Sequence, residues 1–282
     1  MFKVTDLKFK YQKQEKKAID GISFEIKEGE IFGFLGPNGA GKSTTQRLLI
    51  KLLRGYEGEV TYKGKSLKEL DDSFYEEIGV GFEMPISFSK LTALENLEFF
   101  KKLYKSTADI EKLMKQVDLW DDRDKKAGEY SKGMKIRLNF VRAILNNPKF
   151  LFLDEPTGGL DPKNARVIRD LILDYKKKGG TVFLTTHVMG DVDVLCDRVA
   201  FIAKGKLMEI STPKDLKLKY GKRIVTVEYA NGKKTVTKEF KMKDVKSDEF
   251  INLVKKKEII TIHSGETTLD EIFIKVTGVE LK

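Results

Sequence analysis

The chain contains the run Gly36-Pro37-Asn38-Gly39-Ala40-Gly41-Lys42-Ser43-Thr44, which satisfies the pattern G-x-x-x-x-G-K-S/T. Each position has a physical reason. Glycines let successive backbone N–H groups turn inward around a polyanion. A helix starting directly after them adds unpaired donors and partial positive charge. Lys42 can reach the β- and γ-phosphates of a nucleotide, and the Ser43 hydroxyl is placed for Mg²⁺. The apolar run 31–35 before the loop and the helix-patterned run 45–54 after it, closed by Gly55, supply the strand–loop–helix setting such a site needs. The pattern implies that the chain binds a nucleoside triphosphate.

Three further groups fit the same chemistry. The apolar run Phe150-Leu151-Phe152-Leu153 ends in Asp154-Glu155. Strand alternation sends neighbouring side chains to opposite faces, so the two carboxylates can take different roles. Asp154 is the natural Mg²⁺ ligand through the water shell, and Glu155 is the candidate general base for an attacking water. His187 follows Thr185-Thr186 at the end of another apolar run, where an imidazole can sense the γ-phosphate. Ser131-Lys132-Gly133-Met134 opens a helical run and presents donors to an anion. The first phosphate loop already serves the chain's own nucleotide, so this second anion site points to a dimer in which each copy completes its partner's site.

The elements that must hold these groups alternate in type. Residues 1–9 and 22–26 read as strands, and 92–147 is helical by period. Thr92 with Glu95 makes a capping box there. Runs 150–153 and 181–185 are uninterrupted apolar strands separated by a helix over 164–178, which argues for a buried, mainly parallel sheet of the α/β class. After Tyr220-Gly221 the pattern changes. Residues 224–229 and 235–240 alternate around an Asn231-Gly232 turn, Ser247 caps a short helix, 259–262 reads as a strand, and Thr268 with Glu271 caps a last helix stopped at Gly278. Two domains are expected, 1–218 and a small α+β accessory unit over 222–282 without catalytic residues.

Bulk properties exclude several classes. With 282 residues, 40% of them hydrophobic, the chain can bury a large core, and no uncharged apolar run approaches the ~18 residues needed to cross a bilayer. No signal-peptide pattern follows Met1, so a soluble cytoplasmic protein is expected. A single cysteine, Cys196, excludes an internal disulfide framework and a cysteine-based zinc site. The net charge of +10 comes from scattered lysines, the tight runs being 176–178 and 255–257 at expected helix ends. Nucleic acid is not an expected partner.

With these motifs in this order, residues 1–215 resemble an ATP-binding-cassette (ABC) transporter nucleotide-binding subunit. The resemblance implies a P-loop NTPase fold: a RecA-like core, an antiparallel β subdomain and a helical subdomain inserted at about 88–147. It assigns Tyr11 to stacking on adenine, residues 36–44 to the Walker A loop, Ser131 and Gly133 to the signature motif that caps the partner chain's γ-phosphate, Asp154 and Glu155 to Walker B, Gly158-Gly159-Leu160-Asp161 to the D-loop, and His187 to the switch histidine. Glu83 stands where the family's Q-loop glutamine touches Mg²⁺, and Tyr130, Lys132 and Met134 depart from the commonest signature. The implied activity is hydrolysis of ATP with Mg²⁺ by two such chains, identical or closely related. These drive a separate transmembrane permease from the inner face of the cell membrane. The segment 267–278 resembles the tail of drug- and lipid-exporting cassette subunits. The alternative is a non-transport ABC ATPase acting on nucleic acid or ribosomes, whose usual coiled-coil, zinc or second-cassette insertions are not visible here.

Overall fold

The computed structural model describes residues 1–84, 87–221, 223–232 and 234–280. In chain order the first unit, Met1–Thr212, contains strands β1 (Phe2–Phe9), β2 (Ile19–Ile26) and β3 (Ile31–Leu35), then helix α1 (Lys42–Leu49). There follow β4 (Glu57–Tyr62), β5 (Lys65–Ser66), α2 (Phe74–Glu77) and β6 (Ile78–Gly81). Helices α3 (Ala93–Lys101), α4 (Ile110–Gln116) and α5 (Lys132–Ile144) come next. The unit closes with β7 (Phe150–Asp154), α6 (Pro162–Lys177), β8 (Thr181–Thr186), α7 (Met189–Leu195), β9 (Arg198–Ala203) and β10 (Lys206–Ser211).

Two sheets organise this unit. The larger runs β10-β9-β3-β8-β7-β6, and only β10 is antiparallel to its neighbour. Its inner strands β3, β7 and β8 are buried at every residue, as their unbroken apolar runs require. The smaller sheet, β2-β1-β4-β5, is antiparallel, and phenylalanines from the two sheets meet between them. Phe2 packs edge-on to Phe150 at 4.8 Å between ring centroids, and Phe24 stacks on Phe32 at 5.7 Å. Helices α3–α5 enclose their own apolar cluster around Leu97, Met114, Leu138 and Val141. The capping box of Thr92 and Glu95 starts α3 as the sequence predicts. Gly79 in β6 admits α5 closely, because a Cβ there would stand 1.8 Å from the Ala143 carbonyl oxygen.

The second unit, Pro213–Gly278, contains α8 (Pro213–Tyr220), β11 (Arg223–Asn231), β12 (Lys234–Lys241), α9 (Asp248–Lys256), β13 (Ile259–Glu266) and α10 (Leu269–Thr277). Its sheet, β12-β11-β13, buries Val225, Val227 and Phe240 against Phe250 and Leu253 of α9. Thr268 and Glu271 cap α10, and Gly278 ends it in the left-handed conformation, as expected.

Three expectations need correction. The boundary predicted at 218–222 falls before Pro213, because α8 packs with α10 of the second unit. Helix α1 ends at Leu49 and not at Arg54: Lys51, at φ 60°, supplies the left-handed stop, and its amide and that of Leu52 bond back to the Leu48 and Arg47 carbonyls. Asn231 is the last residue of β11 and pairs with Lys234, so it belongs to the ladder and not to the turn. Among the described residues no helix is long and apolar enough to cross a membrane.

Candidate nucleotide-binding site

The parallel sheet delivers three chain segments to one edge. In register, Leu35 of β3 lies beside Thr186 of β8, and Asp154 of β7 lies beside Thr185 of β8. The loops leaving these strands at their carboxyl ends therefore converge, the usual ligand position in an open α/β sheet. They border a cleft of about 520 Å³ lined by Tyr11, residues 37–39 and 41–44, Glu83 and Glu155 among others. That volume suits a nucleotide-sized ligand.

Gly41 turns the chain into α1 at φ 110°, where a Cβ would stand 2.9 Å from the Ala18 carbonyl oxygen. Lys42 is buried, and its Nζ donates to the Gly36 and Pro37 carbonyls at 2.7 and 3.3 Å. Those bonds fold the ammonium back over the loop. The Ser43 hydroxyl donates to Asp154 Oδ1 at 3.2 Å, and the Thr185 hydroxyl also donates to that oxygen. A hydroxyl and a carboxylate held together in this way are hard oxygen donors of the kind Mg²⁺ selects.

Glu155 is reached by a different route from the one strand alternation suggests. It lies one residue beyond β7 at φ 47°, a left-handed conformation of the kind that costs a non-glycine residue about 1–3 kcal/mol. The turn separates it from Asp154 and aims it at two partners. Glu155 Oε1 is 3.3 Å from Lys42 Nζ, and Oε2 is 2.9 Å from His187 Nδ1. The His187 amide also donates to Oε2, at 3.2 Å. Glu155 is 7% exposed, so these contacts sit where water screens them little, whereas the His187 ring is exposed.

Tyr11 is half-buried at the cleft margin, with its hydroxyl 3.1 Å from Thr44 Oγ1 and its ring edge-on to Phe9. Glu83 follows β6 and is exposed along the cleft.

The ABC transporter family matches this chain over residues 19–158. The fluoroquinolones export ATP-binding protein MT2762 of Mycobacterium tuberculosis is 48% identical over 284 residues, covering 100% of this chain and 94% of the relative. The chain belongs to the ABC transporter family. The bacitracin transport ATP-binding protein BcrA of Bacillus licheniformis is 38% identical, over 74% of this chain and 69% of that protein. Among solved structures, the ATP-binding cassette MJ0796 in a dimeric post-hydrolysis state with ADP and Pi superposes with a TM-score of 0.68 and 28% identity, covering 75% of this chain and 98% of that one. This ABC protein is thus an ATP-binding transporter subunit with the P-loop NTPase fold, and ATP hydrolysis is the activity of its family.

The remaining sequence-derived positions of this ABC subunit lie outside the cleft. Ser131 is exposed and caps α5, its Oγ accepting from the Met134 amide at 3.3 Å. Gly133 is buried against the Asn164 side chain. Asp161 is exposed and uses its carboxylate to cap α6, accepting from the amides of Lys163 and Asn164 at 3.1 and 3.0 Å. The Asn164 side-chain amide holds that carboxyl below the ordinary carboxylate value. No contact ties Ser131, Gly133 or Asp161 to the chain's own cleft among the described residues.

Sequence reasoning missed three cations here. Lys16, Lys17 and Lys204 line the cleft beside Tyr11. The first two lie between β1 and β2, five and six residues after the aromatic, a cue available from the sequence. Lys204 arrives by the β9–β10 turn, whose approach only the tertiary fold reveals.

Proposed function

We propose that this chain is the ATP-hydrolysing subunit of an exporter for drug-like molecules, acting as a dimer on a separate membrane permease. The observation that carries the reading is the contact of Glu155 with both Lys42 and His187 at the edge of the phosphate loop. In this reading adenine rests on Tyr11, and the amides of residues 36–44 with Lys42 grip the phosphates. Glu155 orients and deprotonates the attacking water, and His187 steadies charge developing on the γ-phosphate. Ser43, Asp154 and Glu83 would hold Mg²⁺, which would supply positive charge against the phosphates. The proximity of Ser43 to Asp154 supports that assignment. Ser131 and Gly133, with Asp161 of the D-loop, act on the nucleotide of a second subunit, whether identical or closely related. The exposure of Ser131 supports a role across such an interface.

The ATP-binding domain then corresponds to the first compact unit, with its helical subdomain at about 88–147, and the accessory unit to Pro213–Gly278, at the inner face of the cell membrane. Export as the direction, with a drug-like cargo, is supported by the relatives named for fluoroquinolone export and bacitracin transport. No nucleic-acid partner is part of the reading.

Replacing Glu155 with Gln tests it. ATP turnover should fall by at least about 100-fold, as loss of a general base does. ATP binding should persist, and size-exclusion chromatography should show an ATP-dependent dimer. Turnover near that of the unaltered protein would remove Glu155 from its assigned role.

A further inference from the structure

Asp191 is a fully enclosed carboxylate that the scheme above leaves unused. Its exposure is 0%, against 6% for Asp154 and 7% for Glu155. A carboxylate so placed must find partners, because removing it from water without compensation is costly. Each of its oxygens has one. Oδ2 accepts from the buried Thr157 hydroxyl, and Oδ1 lies 3.3 Å from Arg169 Nη1 of α6.

Those partners join the two segments that bring Glu155 and His187 together. Thr157 lies two residues beyond Glu155 in a tightly wound loop, where the Gly158 amide donates to the Glu155 carbonyl at 3.0 Å and the Leu160 amide to the Thr157 carbonyl at 3.1 Å. Asp191 sits in the first turn of α7, the helix that His187 and Val188 lead into. Its own amide donates to the Val188 carbonyl at 3.1 Å, and the Val188 amide donates to Thr186 Oγ1 at 2.9 Å. A bond from Thr157 to Asp191 therefore crosses from the loop bearing the carboxylate to the helix behind the imidazole. Burial raises the Asp191 carboxyl above its ordinary value and nearby Glu155 pushes the same way, while the Thr157 bond and the Arg169 charge draw it back toward the ionised form.

We infer that Asp191, acting through the Thr157 hydroxyl, is a positioning residue for hydrolysis that clamps the Glu155 loop to the helix following His187. The inference rests on Glu155 being the base in the proposed function. Left-handed backbone at Glu155 needs surroundings that over-determine it, and this brace supplies part of that restraint. Arg169, in contrast, reaches Asp191 from α6 at Oδ1 and not at the oxygen that Thr157 holds, so its part is to balance the buried charge.

The test separates positioning from simple stability. Thr157→Val removes the hydroxyl and keeps most of the volume. It should lower kcat by about tenfold and leave KM for ATP within about twofold; the melting temperature should fall as well, because Asp191 Oδ2 loses its partner, so kcat is read well below that temperature. Thr157→Ser restores the hydroxyl and should restore kcat. Asp191→Ala removes the acceptor and should lower kcat similarly, and the double variant with Thr157→Val should be no slower than either single one, since both break one bond. Arg169→Met leaves the Thr157 bond in place and should lower the melting temperature more than kcat. A Thr157→Val protein with kcat within about twofold of the unaltered one overturns the inference, as does a kcat loss that Ser fails to rescue. Glu155→Gln is assayed in parallel. If it still turns over ATP, the functional reading itself fails; if it is inactive while Thr157→Val is fully active, only the brace fails.

Discussion

The two compact units are held together by different amounts of burial, and the difference follows what each must do. In the first, β3, β7 and β8 are enclosed at every residue, and phenylalanines from two sheets interlock between them. In the second, β12 is exposed at alternate positions and the core cluster contains Val225, Val227 and Phe240 as its buried members. Reactive groups need fixed positions, and strand ends anchored in a close-packed interior provide them. None of the candidate nucleotide residues comes from the second unit. Its histidine, His263, is exposed.

Substitutions in each unit should break this contrast or sharpen it. Lys42→Ala should have the largest effect, weakening ATP affinity by at least about 100-fold in a fluorescent-nucleotide titration. It removes a buried ammonium from the phosphate loop and leaves Glu155 without that partner. Phe240→Ala should destabilise the second unit by about 3 kcal/mol, as large-to-small core changes do. Scanning calorimetry should show one transition falling while ATP affinity and the other transition hold; a matching loss of ATP affinity would mean that the units are not independent. Glu83→Gln should keep or raise basal turnover while weakening its Mg²⁺ dependence, because a carboxylate near the γ-phosphate adds repulsion. A loss of more than about tenfold in a Mg²⁺ titration of ATPase activity contradicts this. The smallest effect belongs to Thr268→Ala, which removes the α10 cap at about 1 kcal/mol and should leave turnover unchanged.

Legibility in the sequence followed the same division. Features that depend on near neighbours could be read directly: the phosphate loop, the capping boxes of Thr92 and Thr268, and the lysine runs at the ends of α6 and α9. The unbroken apolar strands announced a buried parallel sheet for the reason that both their faces are covered. The segment holding β4, β5, α2 and β6 carries no clear period, because its strands are short and β6 is half glycine. Gly79 is explained only by the approach of α5. The end of α1 is hidden in the sequence because a lysine, Lys51, takes the left-handed place that glycine usually fills.

What the sequence by itself determined about this protein is a set of local patterns: a glycine-rich loop of the phosphate-binding type, a pair of acids after an apolar strand, and a histidine after another. Those patterns are local, and backbone geometry ties them to particular turns and helix starts. Only the tertiary structure decided which of these groups touch. The adjacency of β3, β8 and β7 brings Lys42, His187 and Glu155 within contact, and the left-handed turn at Glu155 sends the two neighbouring acids to different partners. The bond from Thr157 to Asp191 likewise joins residues 34 apart in sequence. Such contacts depend on strand order and register, which residue patterns along a single chain do not encode locally.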